Sequence, residues 1–174
     1  MTDSHFDQVM KAREGAEGAD RLYFAYSTIL DRQAFDEWKS QHDYAFFTLP
    51  PGEVAEAEGV TLVYDFPSRW WGGRVAGLKD APGAKVFGRL FTVSAKDWPI
   101  IQHKEGAVTG MCVERRVAVQ VAGRRVEATA FTTHPQRASA DGPVSARFVE
   151  ALVRGARSAG LPEPYIRALE TPGA

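Results

Sequence analysis

The sequence predicts a mixed α+β domain built on a largely antiparallel sheet, open or closed into a small barrel, with flanking helices. Three observations carry this. Short apolar runs with strand character outnumber amphipathic helical ones along the 174 residues. The dipeptide Ala122-Gly123 joins two strand-like runs in the manner of a tight hairpin and breaks any regular strand–helix–strand rhythm. The remaining helical segments lie at the start, in the middle and at the end of the chain, which suits helices packed around a sheet.

Taken in order, residues 1–20 lack a sustained apolar period and include Gly15 and Gly18, so they read as a loose lead-in or frayed helix. Arg21 to Tyr26 is aromatic and apolar on both faces, the mark of a strand buried on both sides. Ser27 to Leu30 leads to Asp31, a good N-cap for a helix in which Phe35 and Trp38 share a face. Strands are expected at 43–48 and 59–66, with Pro50-Pro51-Gly52 between them and the cluster Trp70-Trp71-Gly72-Gly73 beyond. A turn at Asp80-Ala81-Pro82-Gly83 precedes a strand over 85–93. Ser94 then opens a helix ending near Glu105-Gly106. Val108 to Val121 and Arg124 to Thr133 form the hairpin. A helix begins near Pro143, with Phe148, Leu152 and Ala156 on one face, and Gly160 stops it. A short last helix carries Ile166 and Leu169. The domain proper is expected over 21–170.

Composition narrows the function classes. The hydrophobic share of 44%, the charged share of 25% and the net charge of −1 are ordinary globular values. They offer no electrostatic footprint for nucleic acid or an anionic membrane. A chain of this size buries roughly 70% of its unfolded surface and needs no disulfide or metal staple. The single cysteine, Cys112, excludes an internal disulfide. The N-terminus is polar, and no apolar stretch reaches the length of a membrane span. Together these predict a cytoplasmic protein.

No metal or cofactor is expected. The four histidines are scattered, and no phosphate loop, dinucleotide fingerprint or nucleophile elbow occurs. Cys112, read as a mid-strand residue among apolar neighbours, is expected to pack rather than react. What remains is Glu105, where a helix hands over to a strand. A carboxylate half shielded at such a junction can take and return protons near neutral pH. On residue pattern alone, a solvated glutamate paired with Lys104 or His103 is the commoner outcome.

Three segments shift that balance. Leu22 to Leu30 (LYFAYSTIL), Val86 to Glu114 (VFGRLFTVSAKDWPIIQHKEGAVTGMCVE) and Gly160 to Leu169 together resemble the gamma-glutamylcyclotransferase family, in the right order over about residues 21–170. The resemblance implies a gamma-glutamylcyclotransferase-like fold and release of 5-oxoproline from a small γ-glutamyl amine or peptide. The substrate's own α-amine attacks its γ-carbonyl, so no protein nucleophile, metal or cofactor is implied. By resemblance Glu105 is the general acid/base. The loop Tyr26, Ser27, Thr28, Ile29 and Leu30 binds the substrate through backbone N–H groups, and Tyr165 reads as lining the pocket from the C-terminal side or as core packing. Tyr23 and Phe24 read as core. Trp70 and Trp71 read as a pocket wall or as packing beside the Gly-Gly turn. The loop departs from the family pattern at Ser27, where glycine is usual, and at Ile29, where asparagine is frequent. Those departures leave a second reading open, a non-catalytic small-molecule-binding or regulatory domain on the same fold.

Overall fold

Tyr23 and Ala25 point into one apolar cluster, and Phe24 and Tyr26 into another. That two-sided burial places β1 (Arg21–Ala25) at the centre of the molecule. The computed structural model describes residues 4–172. Around β1 stand β2 (Glu53–Ser68), β3 (Gly73–Val93), β4 (Cys112–Val121) and β5 (Arg124–Thr133). They close a barrel in the order β1-β3-β2-β4-β5. The pairings β1–β3, β2–β3, β2–β4 and β4–β5 are antiparallel, and β5 returns to β1 in parallel at Tyr23 and Thr129. Closure removes the exposed edges that an open sheet would have to protect. The inner cluster is made of small and branched side chains such as Ala57, Val86, Val119 and Ala130, the volumes a narrow barrel can hold.

The helices cover the outside. α1 (Ser4–Glu14) packs on α3 (Trp98–Lys104), and α2 (Arg32–Gln41) brings Phe35 and Trp38 into the same cluster. α4 (Ala146–Ser158) and α5 (Glu163–Glu170) form a third cluster around Phe148, Leu152 and Ile166. The Asp31 carboxylate accepts from the Ala34 amide at 3.3 Å and receives Arg154 of α4 at 2.8 Å. This one buried side chain therefore caps α2 and ties it to α4. Asp31→Ala is expected to cost about 1–2 kcal/mol, read as a lower urea midpoint.

Several expectations are corrected. Of the two readings of residues 1–20, the helical one holds over 4–14, where Val9 is fully buried, and residues 1–3 lie outside the described ones. No strand forms at 43–48. Asp43 adopts φ 64°, the Phe47 amide bonds Tyr44 O, and Lys39 Nζ caps Phe47 O at 2.8 Å. Tyr44 and Phe47 are buried by this turn while Phe46 faces solvent, a spacing of three that imitates strand aromatics in sequence. No turn breaks the chain at Asp80 to Gly83. β3 runs on, and residues 81–84 bulge opposite Gly59 alone, between the pairs Val60–Asp80 and Glu58–Lys85. Ser94 Oγ does accept from the Asp97 amide, but it caps a turn, and the helix starts at Trp98. The last large helix starts at Ala146, capped by Ser145 rather than led by Pro143. β4 begins at Cys112 instead of Val108, so the cysteine is a strand's first residue. The hairpin turn matches its expectation, since Ala122 and Gly123 both have positive φ, 48° and 76°.

Candidate active site

Glu105 closes α3. Its amide bonds Ile101 O at 2.9 Å, and Gly106 then turns the chain at φ 84°, a conformation that costs glycine little. The amides of Met111 and Cys112 fold back onto Gly106 O at 2.9 and 3.1 Å, fixing the short loop that delivers β4. This double anchoring aims the Glu105 side chain at β1, where it accepts a hydrogen bond from the Tyr23 hydroxyl. Burial, followed by the charge of Glu105 and that hydrogen bond, raises the Tyr23 phenol well above its ordinary value. The phenol thus remains a donor across the working pH range.

The Glu105 carboxylate borders a cavity of about 230 Å³. Ser27 and Thr28 border it as well, so the loop after β1 and the carboxylate face one space. Thr28 to Leu30 forms a single 3-10 turn, with Leu30 N bonded to Ser27 O and Asp31 N to Thr28 O. The amides of Thr28 and Ile29 precede the first of these acceptors' partners, at the end of a turn where N–H groups have no partner within it. Ser27 sits at φ −115°, ordinary backbone for any residue, so serine fits where the family pattern has glycine.

The other sequence-derived site residues are placed elsewhere. Ile29 is buried in the cluster beneath α1–α3, and with Leu30 it lines a groove beside Arg89 on the far side of the loop. Both anchor the loop and leave its contacts with the cavity to Ser27 and Thr28. Tyr26 is buried in the barrel, and its hydroxyl donates to Phe131 O. Tyr165 does not reach Glu105. It packs on Phe87, ring centres 5.1 Å apart, and borders a separate hollow of about 440 Å³ with Tyr64 and Arg74. The spacing of α5 to the rest of the chain carries no signal for which hollow its tyrosine enters.

Sequence reasoning missed Tyr23 as a site residue. The available signal was a phenol in a strand buried on both faces, since a buried hydroxyl needs a partner. It also missed the side chains on the helical wall. Lys104 borders the cavity with its ammonium 5.8 Å from the Trp38 ring. Burial lowers the Lys104 pKa, and the Glu105 carboxylate acts the other way. Trp38 stacks on His42 at 4.6 Å, and His103 receives the Tyr44 hydroxyl contact at 2.8 Å. Cys112 lines the same cavity, but burial and then the charges of Glu105 and Asp65 push its thiol up to about 12. At neutral pH it is a thiol and a poor nucleophile. Among the described residues no cluster of three or more His, Cys, Asp or Glu side chains is arranged to hold a metal ion. No helix among them is long and apolar enough to cross a membrane.

A closed five-stranded barrel with flanking helices is the gamma-glutamylcyclotransferase-like fold. Residues 85–169, which contain Glu105, match the AIG2-like family. Among solved structures, one described as a gamma-glutamyl cyclotransferase is 21% identical, with TM-score 0.70 over 87% of each chain. An uncharacterized protein of Homo sapiens, loc79017, is 21% identical, with TM-score 0.73 over 88% of each chain. A yeast gamma-glutamyl cyclotransferase specific to glutathione is 9% identical, with TM-score 0.59, covering 88% of this chain and 95% of its own. These likenesses establish the fold. Among curated proteins no sequence matches.

Proposed function

We propose that the protein is a metal-free cyclotransferase that releases 5-oxoproline from a γ-glutamyl amine or peptide. The observation that carries this reading is the Glu105 carboxylate, held by Tyr23 in a cavity it shares with Ser27 and Thr28. The family match over 85–169 and the cyclotransferase names borne by similar structures support it.

In this mechanism the α-amine nitrogen of the substrate attacks the γ-carbonyl carbon, closing the five-membered ring. Glu105 takes the proton that the amine loses and returns it to the nitrogen of the leaving amine as the old amide C–N bond breaks. Atoms balance with no co-reactant: one γ-glutamyl amide gives 5-oxoproline and a free amine. Amides at the start of the loop, around Ser27 and Thr28, hold the α-carboxylate and stabilise negative charge on the carbonyl oxygen. Confinement in a small cavity keeps amine and carbonyl within reach of each other. Tyr23 acts as a positioning residue, because it holds the carboxylate without touching the reacting atoms.

The direct test incubates the purified protein with a panel of γ-glutamyl amides and amino acids and measures 5-oxoproline by mass spectrometry. Absence of product across the panel removes the enzymatic reading. Tyr23→Phe keeps the ring but drops the donor. Loss of a hydrogen bond to a charged group predicts a fall in kcat of about 10-fold or more, with KM nearly unchanged. A rise in KM at constant kcat would move Tyr23 from positioning the base to shaping the pocket.

A further inference from the structure

Much of the lining of the Glu105 cavity is apolar and aromatic, with Phe66, Trp70, Trp71, Met111 and Phe148 among it. Four large hydrophobic side chains are exposed among the described residues, and two of them, Trp70 at 39% and Met111 at 42%, border this one cavity. Exposed apolar surface gathered at the mouth of a pocket marks a place where something binds.

The wall is also rigid. The Trp71 amide bonds Ser68 Oγ at 3.2 Å, and Ser145 Oγ, the cap of α4, donates to Trp71 O at 2.7 Å. Arg147 donates to Trp70 O at 3.1 Å, and the Trp71 ring meets Phe148 edge-on at 5.6 Å. The backbone of the Trp70-Trp71 turn is thus fastened to α4, so a ligand meets surface that needs little ordering on binding.

Charge decides the complementary chemistry. Of the described residues lining the cavity, Glu105 is the single carboxylate and Lys104 the single Lys or Arg. A second ammonium on the substrate would find no acidic partner in the lining except the proposed base, and would meet Lys104 beside it. At about 230 Å³ the cavity falls below the ~300–1,000 Å³ of drug-sized pockets, so it holds the γ-glutamyl head and little more. Whatever follows the scissile amide must lie against the exposed rim.

Resting on the cyclotransferase reading above, we propose that Trp70, Trp71 and Met111 form the leaving-group subsite. The preferred substrates are γ-glutamyl amides of neutral amines with an aromatic or bulky apolar body. The thioether of Met111 adapts to varied shapes, while the indoles supply the flat faces against which a ring stacks.

The test compares kcat/KM for γ-glutamyl phenethylamide, γ-glutamyl ethylamide and γ-glutamyl 5-aminopentylamide, with binding of each followed by calorimetry. Burying one phenyl ring predicts a phenethyl-to-ethyl ratio of about 10–100, with the aminopentyl compound no better than the ethyl one. Trp70→Ala removes a half-exposed side chain and should bring that ratio to about 3 or less, with Met111→Ser lowering it in the same direction. A wild-type ratio near one, a preference for the aminopentyl amide, or a ratio unmoved in both variants overturns the subsite. If no amide yields 5-oxoproline but the phenethyl preference in binding is present and lost in Trp70→Ala, the subsite stands and the cyclotransferase reading falls. If no amide is turned over or bound, both fall.

Discussion

Glu105→Gln is expected to cut 5-oxoproline release by about 10²–10⁴-fold, the range that a positioned general acid/base contributes. The substitution preserves size and shape, and the glutamine carbonyl can still accept from the Tyr23 hydroxyl. The amide cannot, however, take a proton from the attacking amine or return one to the departing amine. Glu105 is half-buried at the C-terminal end of α3, and its backbone bond to Ile101 O is untouched by the change, so the urea midpoint should stay close to that of the parent protein. Loss of product together with an intact midpoint is the expected pair of results. Release at the parental rate would assign the proton transfers to another group.

The second large effect falls on the scaffold. Gly88 lies in β3, paired with Ala55 of β2, where the end of the neighbouring β1 comes so close that a Cβ would be driven into the Ala25 carbonyl oxygen. It would also stand 2.8 Å from the Phe24 ring. A backbone oxygen cannot step aside as a flexible side chain can. Gly88→Ala is therefore expected to cost about 3 kcal/mol or more, the upper end of overpacking penalties, seen as a lower urea midpoint at similar m. Because Ala25 is the last residue of β1, any relief of the clash displaces the loop that begins at Tyr26, and substrate binding should weaken as well. Gly15→Ala supplies the contrast. Nothing lies within 4 Å of a Cβ there, and its stability should stay within about 0.5 kcal/mol of the parent. An unchanged midpoint for Gly88→Ala would show that β1 and β3 are not so tightly apposed.

The readable parts of this protein are those whose signals are local. Asp31 before an amphipathic run, Ala122-Gly123 between two strands, Gly160 after α4 and Glu105-Gly106 at a junction each carry their meaning within a few residues. The segment 43–48 misled because aromatic residues three apart in a turn and aromatic residues in a strand look alike without backbone angles. The continuity of β3 was hidden because Asp-Ala-Pro-Gly is turn chemistry, and a long hairpin can absorb it as a bulge once its partner strand holds both sides.

The chain's local chemistry was thus sufficient for the class of fold, most element positions, and the choice of one glutamate and one loop as candidates. Only the closed barrel decided which groups meet. It brings Tyr23 to Glu105 across 82 positions of sequence, sets Ser27 and Thr28 on the same cavity as Glu105, and sends Ile29, Leu30 and Tyr165 to other surfaces. Propensity and periodicity act over a turn or a strand. The direction in which a side chain points across the molecule depends on strand order and register, which arise from the packing of all five strands at once.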